Sequence, residues 1–492
     1  MVPLLLLLIP LLAGLSAFII KNEKAVRGWA LFSSVLTLIV SLLGLTVLNK
    51  ASLLQFNASW LGSFGASFSI KLDGMGQMLC LLTAVAYPLI LVATWKSIYK
   101  KANNFFALLL LAQVGLMGVF LSMDALLFYF FWELALIPMY FLCSQWGGVK
   151  RIAVTFKFFI YTFVGSLMML VAILIIYSET KDHSFAISSF YNVKLAASQQ
   201  ALLFWLFFIA FAIKMPIFPF HTWQPDTYEQ SSTAITMVLS GVMVKMGVFG
   251  LLRWTLPILP IASFAWGDVV MSMAIAGMIY ASLLAIRQDD LKRLVAYASI
   301  AHMGLMCAAI FAENKIGMQG VMIQMFSHGI NIIGLWVIVE LIERQFGTRK
   351  ISELGGLSQK APVMTIFLVI IVLANIGLPL TNAFIGEFMM FSGIMSSSIT
   401  EYYFIFTAIA GISIILSAVY MLNMVRKVFL GNTNTLTETA SDLRLNEKLV
   451  LGVIVILIFW IGIYPDTLLR ITNEITDSIL FKSDISPFIN NK

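Results

Sequence analysis

Six ionisable residues lie in stretches apolar enough to cross a bilayer, and each is a candidate for holding and passing a proton. Glu133 sits in LLFYFFWELALIPMYFL, Lys214 in ALLFWLFFIAFAIKMPIFPFHTW and Lys245 in TAITMVLSGVMVKMGVFGLL. His302 sits in AYASIAHMGL, His328 in IQMFSHGINIIGL and Glu387 in IGLPLTNAFIGEFMMFSG. A charged side chain at the centre of a spanning helix costs about 3 kcal/mol on insertion scales, so such groups occur paired, hydrated or in use. Lys214 has Pro216 two positions behind it. The proline leaves a carbonyl of the preceding turn without its N–H donor. The end of a half-helix also carries partial negative charge, and both effects favour an ammonium.

Each of these residues has a plainer reading. Glu133 is either the partner of a membrane lysine or a carboxylate that packs two helices together. Lys245 too lies centrally in its span, and the plainer reading is one half of a structural pair; Gly241 and Gly247 beside it permit close helix approach. The histidines titrate near neutral pH and suit a relay, but a satisfied core histidine is the alternative, and a haem held by both has no other support. His221, near Asp226 and Glu229, is a possible proton inlet or a solvated loop residue. Asp124 opens the Glu133 helix and reads as its cap.

The elements that must position these groups are membrane helices. The chain has 492 residues, 60% hydrophobic and 11% charged, with mean hydropathy +0.95. Soluble domains carry about 25% charged residues. Apolar runs of about 20 residues recur from end to end, and the pattern predicts an all-α polytopic membrane protein of about 14 spans. The first run lacks the basic flank of a signal peptide and reads as a retained span. Two spans are interrupted, the seventh at Pro216 and the twelfth around Gly377 and Pro379. Non-helical backbone at membrane depth survives only inside protein or beside water.

Charge gives the orientation. The loops after odd-numbered spans hold 20 of the 31 lysines and arginines, so those loops are read as cytoplasmic and both termini as outer. Spans 4–8 and 9–13 each carry a broken helix as fourth member, which predicts two inverted five-helix repeats. The expected segments are 1–103 (spans 1–3), 104–257 (first repeat), 258–428 (second repeat) and 429–492 (span 14 and a short tail). The cysteines Cys80, Cys143 and Cys307 are scattered and form no CxxC, so no zinc or iron–sulfur site is expected. No Gly-rich nucleotide motif is present. The net charge of +7 is a topology signal, with no call for nucleic acid.

Five stretches together carry a resemblance: FWELALIPMYFL, AFAIKMPIFPFHTWQPD, LVAYASIAHMG, QMFSHGI and GLPLTNAFIGEF. They resemble the antiporter-like subunits of respiratory complex I, in the same order and over nearly the whole chain. Glu387 stands where the L and N members and the related Mrp-type antiporters carry lysine, and the tail lacks the lateral helix of L. The resemblance implies 14 helices and a central hydrated axis. It implies Glu133 and Lys214 as a coupling ion pair, Lys245 as central relay, His302 and His328 as links, and Glu387 as the outlet-side group. It also implies proton translocation driven by NADH–quinone chemistry elsewhere. FMN, iron–sulfur clusters and quinone would belong to other subunits, with none of them in this chain. L- and N-type neighbours and small membrane subunits would be partners, in a bacterial plasma membrane. One departure is that Pro379 is followed by Leu380, where glycine is usual, and Gly377 is expected to supply the freedom. A gradient-driven Na⁺/H⁺ antiporter subunit and a non-conducting scaffold remain as alternatives.

Overall fold

The computed structural model describes residues 1–47 and 50–484. Helices α1 (Val2–Ala17) and α2 (Glu23–Thr46) open the chain, and strands β1 (Gln55–Leu61) and β2 (Ala66–Lys71) follow. Next come α3 (Gly74–Ala93), α4 (Ala102–Leu121), α5 (Ala125–Gln145), α6 (Arg151–Glu179), the single turn α7 (Ile187–Tyr191), α8 (Ala197–Lys214) and α9 (Trp223–Gln230). α10 (Thr233–Val238) and α11 (Lys245–Gly250) belong to one helical run, Thr233–Thr255. The chain continues through α12 (Pro260–Arg287), α13 (Leu291–Ile310), α14 (Lys315–Phe346), α15 (Pro362–Asn375), α16 (Asn382–Met395), α17 (Tyr403–Val428), α18 (Leu445–Ile463) and α19 (Asp466–Ser483). Among the described residues 12 helices are long and apolar enough to cross a membrane, with α1 and α15 as shorter apolar helices.

Local chemistry sets the helix ends. The side chains of Asn22, Asp73, Asp124, Asp290 and Asn314 each accept a backbone N–H from the first turn of α2, α3, α5, α13 and α14. Such a cap is worth about 1 kcal/mol. Gly347, at φ 67°, closes α14. Along α6 the exposed residues Ile152, Phe156, Ile160, Val164, Leu167, Val171 and Leu174 fall at helical spacing and form one apolar outer stripe. The Thr233–Thr255 helix is the opposite case, with its whole apolar window buried.

Two features depart from the sequence expectation. The fold is not purely helical: β1 and β2 pair antiparallel, with Phe56 opposite Ile70 and Ala58 opposite Phe68. The hairpin is tied to the start of α5, because Ser67 N–H donates to Asp124 and Met123 N–H to Ser69. The tail is not merely short either, since α19 is a regular helix. It lies so close to the start of α3 that a Cβ at Gly74 would overlap the Ile471 carbonyl.

The chain forms two compact units. The first holds Met1–Met215, Val242–Gly267 and the chain from Ile471 onward. In it α1 packs on α4, α4 on α5, α6 on α8 and α8 on α11. The second holds Pro216–Gly241 and Asp268–Arg470, with α14 packed on α13, α16 and α18. Within the second unit Gly393 meets Gly317 across the α14–α16 seam, where a Cβ on Gly393 would overlap the α14 backbone.

Candidate functional site

In the first unit the chemistry gathers at the end of α8. Lys214 is the last residue of that helix, and residues 215–222 run as turns until α9 begins. Pro216 cannot donate back to the turn, so the final carbonyls point toward the lysine end. Lys214 is 1% exposed. Its Nζ lies 5.3 Å from the centroid of the Trp132 ring and has no hydrogen-bond partner. A desolvated cation over an indole face gains about 2 kcal/mol.

Glu133 follows Trp132 on α5 and is half-buried, with Ser166 of α6 close to its carboxyl group. Its Oε1 is buried without a hydrogen bond. Glu133 and Lys214 lie in electrostatic reach of each other, but no salt bridge joins them among the described residues. The two residues that the resemblance implies as a coupling ion pair interact here at a distance, with the ammonium beside the Trp132 ring.

Lys245 is fully buried. It begins α11 just after the π-helical turn Leu239–Met243, and a second π-turn spans Leu251–Thr255. Inserted π-turns redirect side chains and recur at functional sites. Two residues on, Gly247 sits so close to the end of α8 that a Cβ would overlap the Phe211 carbonyl. The same unit holds a charge pair that the sequence did not signal. Arg253 Nη2 contacts Asp73 at 2.5 Å, and the Tyr191 hydroxyl donates to the Arg253 carbonyl at 3.0 Å.

In the second unit three of the six candidates meet. His302 Nδ1 on α13 is 3.4 Å from Glu387 Oε1 on α16, and the His302 and His328 ring centroids are 5.4 Å apart. Gln324 Nε2 donates to the same Glu387 oxygen at 3.5 Å. All three candidates are buried. Asn331 and Asn382 exchange amide hydrogen bonds of 3.0 Å, and Ser327 Oγ donates to the Asn382 carbonyl, which fixes the start of α16 on α14.

The interruption before α16 runs from Ile376 to Thr381. Gly377 has φ 70°, and a Cβ there would overlap Glu387 Oε2, so this glycine both turns the chain and admits the carboxylate. Pro379 follows in the same turn. Leu380, in the place where glycine is usual, takes φ 75° itself. Gly462 of α18 leaves room for its carbonyl.

His221 is 3% exposed and packs against Phe218 and Tyr280, with centroids 5.8 and 5.3 Å away. This excludes the solvated-loop reading. Its two acidic neighbours in sequence take part in an arginine network. Arg293 Nη1 holds Asp226 at 3.1 Å and Glu229 at 2.8 Å, and Arg349 reaches Glu229, Asp290 and Glu343. Lys292, 3% exposed, pairs with Glu343 at 2.8 Å and donates to the Ser231 carbonyl. Sequence reasoning counted the lysines and arginines as a topology signal and named Asp226 and Glu229 only as neighbours of His221. The crowding of charges in RQDDLKR was the one available hint of a network. Among the described residues no cluster of His, Cys, Asp and Glu could hold a metal ion.

A many-helix membrane fold, with interrupted helices beside buried lysine and glutamate, defines an antiporter-like membrane protein. The family described as "NADH:quinone oxidoreductase/Mrp antiporter, TM" matches residues 122–413, and the chain belongs to that family. It is 37% identical to NADH-quinone oxidoreductase subunit M of Rickettsia prowazekii, over 94% of each chain. It is 33% identical to the same subunit of Escherichia coli, over 96% of each chain. Among solved structures it matches a chain of "Respiratory complex I from Thermus thermophilus with bound NADH" at TM-score 0.91 and 26% identity, covering 98% of this chain and 100% of that one. A chain of the Mrp complex from Dietzia sp. shares the fold at TM-score 0.84 and 18% identity, with 98% of this chain and 52% of that chain covered.

Proposed function

We propose that this chain is the M-type proton-translocating membrane subunit of an NADH:quinone oxidoreductase. It has 14 membrane spans, and spans 4–8 and 9–13 form inverted repeats. The carrying observation is the placement of buried ionisable groups at the two interrupted helices: Lys214 ends α8, and Glu387 lies one turn into α16 with its carboxylate on Gly377. The full-length likeness to subunit M relatives supports the same reading. NADH oxidation and quinone reduction, with FMN and iron–sulfur clusters, occur in other subunits. L- and N-type subunits and small membrane subunits are its neighbours in a bacterial plasma membrane.

The physics of the first unit suits a trigger. Opposite charges within electrostatic reach of each other attract more strongly inside a protein than in water. Moving the Glu133 charge away removes that attraction and so raises the energy of the Lys214 ammonium. With no hydrogen bond to break at Nζ, the proton is free to pass to Lys245. His302, His328 and Glu387 are the stations of the second unit, and His221 is an inlet.

The test is Lys214→Ala and Glu133→Gln, each in the assembled complex in membrane vesicles. Each is expected to lower NADH-driven proton pumping and coupled quinone reduction at least about tenfold, with the complex still assembled. Wild-type pumping in both would remove these residues from the mechanism. A scaffold would tolerate neutralisation of all the buried groups. An antiporter would not travel with NADH-oxidising subunits.

A further inference from the structure

A small pocket opens beside Glu387. Met278 of α12, Ala301, His302 and Leu305 of α13, and Ser413, Ile414, Ser417 and Tyr420 of α17 complete its lining. It has room for water. Every lining residue belongs to the second unit. Ser413, Ser417 and Tyr420 stand at i, i+4 and i+7, so α17 presents them on one face, and all three are buried. The Tyr420 hydroxyl is buried without a hydrogen-bond partner, and it lies near Ser417 and near the Glu387 carboxylate. His302 Nε2 is likewise buried and unpaired. A buried hydroxyl left without a partner costs about 1–3 kcal/mol. Two unpaired polar atoms on one small cavity mark it as a place built for water and protons.

We propose that the hydroxyl row Ser413–Ser417–Tyr420 of α17 is the proton path leading away from Glu387. This rests on the translocation reading above. Protonated Glu387 gives up its O–H proton to a water in the cavity. That water passes a proton to a hydroxyl of the row, which accepts it on oxygen while releasing its own proton to the next acceptor. Each hydroxyl ends as it began, so one proton leaves the carboxyl group and one emerges at the far end. The row covers about 10 Å along α17. Ser413 is the member nearest the α17 N-terminus. No charged side chain of α17 takes part: the conducting groups are neutral hydroxyls, which relay protons without the cost of a buried charge.

The experiment compares Ser417→Val, Ser417→Thr, Tyr420→Phe and Glu387→Gln in the assembled complex in membrane vesicles, reading proton pumping and coupled NADH–quinone turnover. Valine and threonine have nearly the same shape and differ by the hydroxyl, so packing damage would affect both alike. Ser417→Val and Tyr420→Phe are expected to lower pumping about tenfold, and their combination more. Ser417→Thr is expected to keep it within about twofold. If Ser417→Val and Tyr420→Phe both pump normally while Glu387→Gln fails, the row is not the path and the translocation reading stands. If Glu387→Gln also pumps normally, the translocation reading itself falls, and the row with it. Equal loss in the threonine and valine variants assigns Ser417 to packing and overturns its part in the relay.

Discussion

Leu380 shows what a single residue is asked to do at the second interruption. A non-glycine residue at φ 75° carries a backbone cost of about 1–2 kcal/mol, and here it is accepted in order to set α16 on its axis. Leu380→Gly removes that cost while leaving Gly377 and Glu387 in place. We expect a thermal midpoint raised by a few degrees in the purified complex. A lowered midpoint would show instead that the exposed Leu380 side chain contributes more than the strain removes. Glu313, at the turn between α13 and α14, is a second case. Its Oε1 is buried without a partner, although part of the residue reaches the surface. Burial pushes its carboxyl group up to about 8 from an ordinary value of 4.5. Between those values folding takes up a proton, so stability falls as pH rises, and the penalty is complete above about pH 8. Glu313→Gln should match wild type at pH 5 and exceed it in thermal stability at pH 9. The same difference at both pH values would refute the assignment. Glu313 lay beyond the sequence reading. The departure at Leu380 was visible in GLPL and Gly377 was expected to supply the freedom; that Leu380 takes a left-handed conformation as well was not legible, because the room for its carbonyl is left by Gly462, distant in the chain.

At the scale of elements, the helices were legible because lipid imposes one rule on them: each needs about 20 apolar residues in a row. The interruptions were legible for the same reason, since proline inside such a run has one main consequence. The hairpin was not. Its strands are only six and seven residues long, and Asp124 and the start of α5 hold them rather than a periodic core of their own. The π-turns flanking Lys245 were equally hidden, because a one-residue change in helix register leaves no mark on composition. The contacts that the charged residues make across elements were hidden too. Lys292 at the start of α13 is buried against Glu343 near the end of α14, and that pair joins the two helices at one level. Removing one partner of a buried pair costs about 3 kcal/mol or more. Glu343→Gln is therefore expected to destabilise the chain by that order, seen as a lower unfolding midpoint and less assembled complex. Glu343→Gln combined with Lys292→Met should recover much of the loss. Failure to recover would mean that Arg349, the other partner of Glu343, carries the effect.

For the whole molecule, the contrast between a lipid-like composition and a few deep charges made the class readable in the sequence. What the sequence could not supply was which of those charges touch. Glu387, His302 and His328 meet, whereas Glu133 and Lys214 stand apart with Trp132 at the lysine, and neither outcome follows from spacing along a chain. The Thr233–Thr255 helix, buried along its entire apolar length with Lys245 inside it, also bears on how the chain is made. Its hydropathy of 1.9 is enough to send it into the bilayer during synthesis, but it has no face on which to stay in contact with lipid. It must therefore leave the lipid as its neighbours arrive. Until then it is an insertion intermediate whose lysine is a local instability, so a chain that stalls in biogenesis displays a polar defect within the bilayer for membrane quality control to recognise.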